Sequence, residues 1–359
     1  MTNKLVVLIG TVKGAFFYQT DLDRRDWQLT GPHLAGWEIY SLCGDPRNGR
    51  ILAGTCSYTY GATLRETHDL GETWVEVEHG PAYPAESGFK LKRIWQIVPG
   101  HPSQAGTWYA GVEEAGLFVS RDDGRTWSEL DGLTRHPTRS QWFPGNGGMC
   151  LHTILPDPSN PQRLWVAASA IGVFRTDDAG ATWRTCNRGL PLVPTGLPVE
   201  TEVSRCVHKM VLDPGKPGVL YQQFHGGVFR SDDAGESWNP IAAGLPSNFG
   251  FPMAVTGQGD LFVVPLSSDE QRFVPGGLLK VYRSRDRGRT WRSLDRGLPQ
   301  EPNYVGVLRD AMAVDSLDPA GIYFGTTMGD VFCSADNGDS WRQLPGRFPR
   351  ITTIKTWLA

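Results

Sequence analysis

The chain has 359 residues, a formal net charge of −3 and 13 tryptophans. That length is ample for a large core, and a near-neutral balance without a basic run argues against a nucleic-acid face. Its one apolar N-terminal stretch, Leu5 to Ile9, is far too short for a membrane span or a secretion signal, so a soluble cytoplasmic protein is expected, with no membrane partner.

In chain order, LVVLIG (5–10) and GAFFYQT (14–20) read as short strands, bounded by Gly and polar residues. An acidic turn ending in tryptophan then recurs: THDLGETW (67–74), SRDDGRTW (120–127), TDDAGATW (176–183), SDDAGESW (231–238), SRDRGRTW (284–291) and SADNGDSW (334–341). The tryptophans are spaced by 53, 56, 55, 53 and 50 residues. A degenerate copy, Thr20 to Trp27, lacks the glycine and lies 47 residues before Trp74, which makes seven units. Each unit has the same content: in 150–187, CLHTILPDP, RLWVAASA, GVFRTD and ATWRTCN read as four strands, the box joining the third to the fourth. A period near fifty with four strands per unit predicts an all-β fold: one seven-bladed β-propeller of four-stranded antiparallel blades over 1–359. RITTIKTW, at 350–357, is expected to be an innermost strand that completes the N-terminal blade and closes the ring.

The box is read as structural. Its Asp accepts hydrogen bonds from its own turn, its Gly takes a positive φ, and its Trp anchors the turn. The S/T-x-D-x-G-x-x-W pattern resembles the Asp-box, or BNR, repeat of the sialidase-like propeller superfamily. It is similar also to the xyloglucanase propellers, photosystem II assembly factors and the sortilin ectodomain. The resemblance implies a propeller and a glycosyl-hydrolase-like ancestry, in a group that holds enzymes, assembly factors and receptors alike. Sialidases carry an arginine motif near the start that TVKGAFFYQTDLDRRDW lacks. True sialidase activity is therefore not expected.

A site is expected on the face opposite the boxes, where the loops leading into first strands are long: 28–38, 79–93, 134–149 and 190–205, together with the second-to-third connection 265–277. Aligning first strands on the turns that end them sets Cys150 and His152 in register with Cys206 and His208. The same register offers Glu38 and Tyr40, then Ile94 and Gln96, and Arg309 and Asp310. Arg93, Arg205 and Lys209 lie beside them, and the second-to-third loops add Glu113, Glu114, His225 and Asp269. Three chemistries fit this ring. Glu113, Glu38 or Asp310 serves as acid or base, with Arg93, Arg309, Lys209, His152, His208, His225 and Trp142 holding a small anionic or carbohydrate-like ligand. Alternatively, His152 and His208, joined by His225 or a carboxylate, hold a divalent metal; no other cofactor is implied. The third reading is polar capping of strand ends. A non-catalytic module is the competing function, with a protein partner seated on the long loops and exposed Trp142, Phe143 and Trp37 as anchors. The six cysteines show no CxxC pair and no zinc spacing, and are expected to be reduced and mostly buried.

Overall fold

The computed structural model describes residues 4–45, 47–192 and 201–358. Its strands form five four-stranded sheets and one eight-stranded sheet. The larger sheet is two four-stranded runs joined at a single parallel bridge, Asp310 to Thr353. Ile351–Leu358 pairs antiparallel with Leu5–Thr11, from Leu5 opposite Leu358 to Thr11 opposite Ile351, as RITTIKTW predicts. The two ends of the chain are thereby tied by a backbone ladder. Gln28–His33, read from sequence as the start of a loop, is instead the fourth strand of that run. Within the loop 190–205, residues 193–200 lie outside the described residues.

These strands are apolar on both faces because each sheet is covered on both sides. Period-2 alternation splits Leu5–Thr11 cleanly. Val6 and Leu8 pack with Ile39, Leu42 and Ile51 of the following sheet. Leu5, Val7 and Ile9 join the cluster that holds Val307, Ile322 and Phe324. Neighbouring sheets approach closely where a glycine stands on a second strand. Gly54 and Gly111, each on a second strand, sit where a Cβ would collide with Ile94 and Leu151 of the next inner strand.

The tryptophan-ended turns share one hydrogen-bond set. Ser120 Oγ donates to Asp122 Oδ1 (2.8 Å) and accepts from the Gly124 N–H (2.8 Å). Asp122 accepts from the Thr126 N–H (2.9 Å) and hydroxyl (2.5 Å). The residue before the glycine is also left-handed, with φ 63° at Asp123. The degenerate copy keeps the last contact of the turn: Trp27 Nε1 donates to Arg24 O (3.1 Å), as Trp127 Nε1 donates to Gly124 O (3.0 Å). Arg24 stands in the glycine's place at φ 57°. Its guanidinium turns inward onto Asp315, with Nε–Oδ2 and Nη2–Oδ1 both 2.8 Å.

Candidate functional site

Every innermost strand carries a register shift near its start. The shifts fall between Ile39 and Ser41, Ile94 and Gln96, Leu151 and Thr153, Val207 and Lys209, Gly250 and Met253, and Val307 and Met312. The strand Ile351–Leu358 has its own, opposite Gly10 and Thr11. A β-bulge leaves one residue unpaired and re-aims its side chain. The residues so freed include Tyr40, Trp95, His152, His208, Phe251, Arg309 and Thr352. Alignment from sequence placed Tyr40, His152 and His208 correctly in this ring. In the third unit it chose Ile94 and Gln96, one residue off Trp95, because no Asp marks the end of that strand.

Five of these residues wall a cavity of about 440 Å³: Tyr40, Trp95, Phe251, Arg309 and Thr352, joined by Arg93, Glu113, Arg272, Arg350 and Gly148. No residue of the tryptophan-ended turns lines it. Three arginines lie over three of its aromatic rings: Arg93 over Tyr40 (5.1 Å), Arg309 over Trp95 (5.3 Å) and Arg272 over Phe251 (5.8 Å). Burial pushes the Tyr40 phenol above its ordinary value, so it stays a neutral hydroxyl. Glu113 Oε2 accepts from Arg93 Nη1 (3.1 Å) and Trp95 Nε1 (3.2 Å). Glu38 lies at the edge of this group, 4.0 Å from Arg93 Nε. Gly148, at φ 93°, faces Glu113 Oε1, where any side chain would meet the carboxylate. Arg309 Nη1 donates to Cys150 Sγ and Ser169 Oγ, both at 3.2 Å, and Arg272 Nε to the Asp269 carbonyl at 2.7 Å. Among the described residues, Arg272, Arg309 and Arg350 make no ion pair with a carboxylate. A larger hollow of about 620 Å³ opens beside Val255, Gly257 and Trp357. Of its two carboxylates, Asp315 and Asp318, the first is already taken by Arg24.

The remaining candidates lie elsewhere. Asp310 is buried and paired with Lys209 (2.5 Å) and Lys355 (3.5 Å), away from the cavity wall. Burial pushes its carboxyl up, but the two ammonium groups outweigh this and hold it below its ordinary value. It is therefore an anion rather than a proton donor. His152 is fully buried, with Nε2 on the Val207 carbonyl (2.9 Å) and Nδ1 on Thr153 Oγ1 (3.0 Å). Both nitrogens are occupied, so a metal shared by His152 and His208 does not fit. Trp142, expected to be exposed, is 6% accessible, packed on Phe174 under Arg139, with its indole N–H on Thr138. Trp37 is half-buried beneath Arg65, and Phe143 is exposed. Of the cysteines, 150, 186 and 333 are buried, and 43, 56 and 206 are partly so. No helix among the described residues is long and apolar enough to cross a membrane.

Sequence reading missed Trp95, Phe251, Arg272 and Arg350. Arg272 lies in the enlarged 265–277 connection and Arg350 directly before the last inner strand, which are the two loop classes singled out. A search of those loops for arginine alone would have found both.

No known protein-family model matches the sequence. Over 303 residues the chain is 29% identical to a xyloglucanase from Paenibacillus sp, a region covering 72% of this chain and 27% of that enzyme. An oligoxyloglucan-reducing end-specific xyloglucanase from Emericella nidulans is 21% identical over 267 residues, 68% of this chain and 26% of the enzyme. The chain thus spans about a quarter of the length of these curated relatives. Among solved structures, an ancestral GH74 enzyme superposes with a TM-score of 0.53 at 16% identity, covering 89% of this chain and 38% of the other. YCF48 bound to D1 peptide gives 0.55 at 16% identity, covering 87% and 85%. The solved structures agree on a β-propeller fold, and the sequence relatives named are both xyloglucanases.

Proposed function

We propose that the chain is a single seven-bladed propeller of the glycosidase-like kind, whose arginine-walled cavity binds an anionic sugar. One observation carries this reading: four guanidinium groups (Arg93, Arg272, Arg309 and Arg350) converge on a cavity whose lining holds one carboxylate, Glu113. Glu113 neutralises Arg93. A neutral ligand would leave the other three cations facing each other, whereas a carboxylate or phosphate takes bidentate hydrogen bonds from them. Tyr40, Trp95 and Phe251 add aromatic carbon to the wall between the charged contacts, against which the apolar edge of a sugar ring can pack. The xyloglucanase likeness supports carbohydrate as the ligand class.

If the site turns substrate over, Glu113 is the residue placed to act. Two donors hold its Oε2, and Oε1 remains beside Gly148 as base or nucleophile. Glu38, across Arg93, is the second carboxylate of a hydrolytic pair. The competing reading, a protein-binding module, is favoured by exposed Tyr58 and Tyr60 on the loop between Ile51–Ser57 and Gly61–Thr67.

Calorimetric titration with uronic acids, sugar phosphates and their neutral counterparts tests the proposal. Anionic sugars should bind, and Arg272→Ala and Arg309→Ala should each weaken them at least about tenfold, the order of one charged hydrogen bond. Equal binding of neutral sugars, or indifference to both substitutions, would refute it. Glu113→Gln should abolish turnover of a matching glycoside while leaving binding in place.

A further inference from the structure

A second cluster lies behind Phe251 and is not needed for the sugar site. Cys206, His208 and His225 bring one ligand atom each within 4.8 Å of one another. They are distant in sequence spacing from any zinc motif, and sheet pairing assembles them. The His225 N–H donates to the Cys206 carbonyl (3.0 Å), which sets the end of Leu220–Phe224 against the start of Val207–Leu212. The bulge at His208 turns its ring toward the same spot, where it stacks on Phe251 at 4.6 Å and meets the His225 ring edge-on at 5.5 Å.

His208 is held the way ligating histidines are, and His225 has a carboxylate at ion-pair distance behind its ring. His208 Nδ1 is 2.6 Å from the Gly250 carbonyl, which makes Nδ1 the protonated nitrogen and leaves Nε2 its lone pair. His225 Nε2 is 3.5 Å from Asp269 Oδ2, which leaves Nδ1 to coordinate. A carbonyl or carboxylate behind the distal nitrogen is the usual device for fixing tautomer and ring direction at a metal. We propose that Cys206, His208 and His225 bind a divalent ion of the zinc class, with Asp269 orienting His225. One thiolate and two imidazoles suit that class, and three protein ligands leave one tetrahedral position open. The charges also balance. A dication is matched by the Cys206 thiolate and the Asp269 carboxylate, so nearby Arg272 and Arg309 are not opposed by a net positive centre. His225 and Cys206 are only partly buried, which gives the ion a path from solvent.

The test is titration of chelator-treated protein with Co²⁺, followed by displacement with Zn²⁺. The expected result is a 1:1 complex with a thiolate-to-cobalt charge-transfer band in the near ultraviolet. Cys206→Ser should remove the band, and His225→Ala should remove tight binding. Asp269→Asn should lower affinity about 10–100-fold. Cys150→Ser and His101→Ala, which alter a neighbouring thiol and a remote imidazole, should leave it unchanged. Metal-free melting curves of His225→Ala that match the parent would show that the loss is not unfolding. Absence of a stoichiometric band, a band that survives Cys206→Ser, or one lost in Cys150→Ser would each overturn the assignment.

Discussion

Replacing Arg24 with methionine should loosen the seam between the two runs of the eight-stranded sheet. Arg24 sits between Gly14–Thr20 and Gln28–His33, and Asp315 directly after Val307–Val314, so their pair joins the two runs that share a single backbone bridge. The two side chains are 5% and 1% exposed. Removing one partner of a buried pair costs roughly 3–5 kcal/mol, because the other charge is left desolvated. Here the low end applies, about 3 kcal/mol. Asp315 keeps the N–H groups of Leu317 (3.1 Å) and Gly321 (2.9 Å) and the Tyr323 hydroxyl (2.9 Å). Urea unfolding at neutral pH measures the loss as a lowered midpoint. Arg24→Met with Asp315→Asn should be less destabilised than the sum of the single variants, since no bare charge remains. Burial raises the Asp315 carboxyl, yet the Arg24 guanidinium and the Gly321 N–H outweigh it and hold it below its ordinary value. The pair therefore stabilises above the unfolded carboxylate value near ~3.9 and is lost as pH falls through the folded one. Arg24→Met should lose that acid-sensitive component. A single-variant cost below ~1 kcal/mol, or strict additivity in the double variant, would show that the buried pair does not hold the two runs together.

Other consequences follow from the same geometry. Hydrogen bonds from Thr126 and Thr290 hold Asp122 and Asp286 down to about 2. Unfolded chains take up protons first on acidification, so urea midpoints should fall between roughly pH 4 and pH 2, and less steeply in Asp122→Asn. Gly111→Ala places a methyl 2.5 Å from the Leu151 carbonyl oxygen and should cost about 1–3 kcal/mol by overpacking, read from the same urea curves. Gly148→Ala combines a left-handed φ of 93° with a clash against Glu113. It should weaken anionic-sugar binding in calorimetry while changing thermal stability only modestly. Unaltered affinity would show that Glu113 does not shape the cavity.

Much of the strand framework was legible because it repeats. Six copies of one turn expose the period, and apolar runs between them can only be strands buried on both faces. The degenerate first copy was harder to read. Arg24 takes the glycine's left-handed place and its charge leaves the turn for Asp315, a contact 291 residues away. The site was half legible. His208, Arg93, Glu113 and Arg309 follow from loop position and strand register, but Trp95 fell one residue out of register. Trp142 sits in a long polar loop and was expected at the surface, yet it folds back under Arg139 onto Phe174.

Periodicity alone determined the class of fold, since each residue's place in a repeat is a local property of the chain. What only tertiary structure decided is which side chains meet. Bulges in the inner strands turn single residues off the ladder, and the closing of the sheets around one another brings Arg93, Arg272, Arg309 and Arg350 to one cavity from four separate parts of the sequence. The same closure occupies both nitrogens of His152 and leaves His208 beside Cys206 and His225. A bulge shifts a side chain's direction without altering the composition around it, so no pattern of residue types announces it.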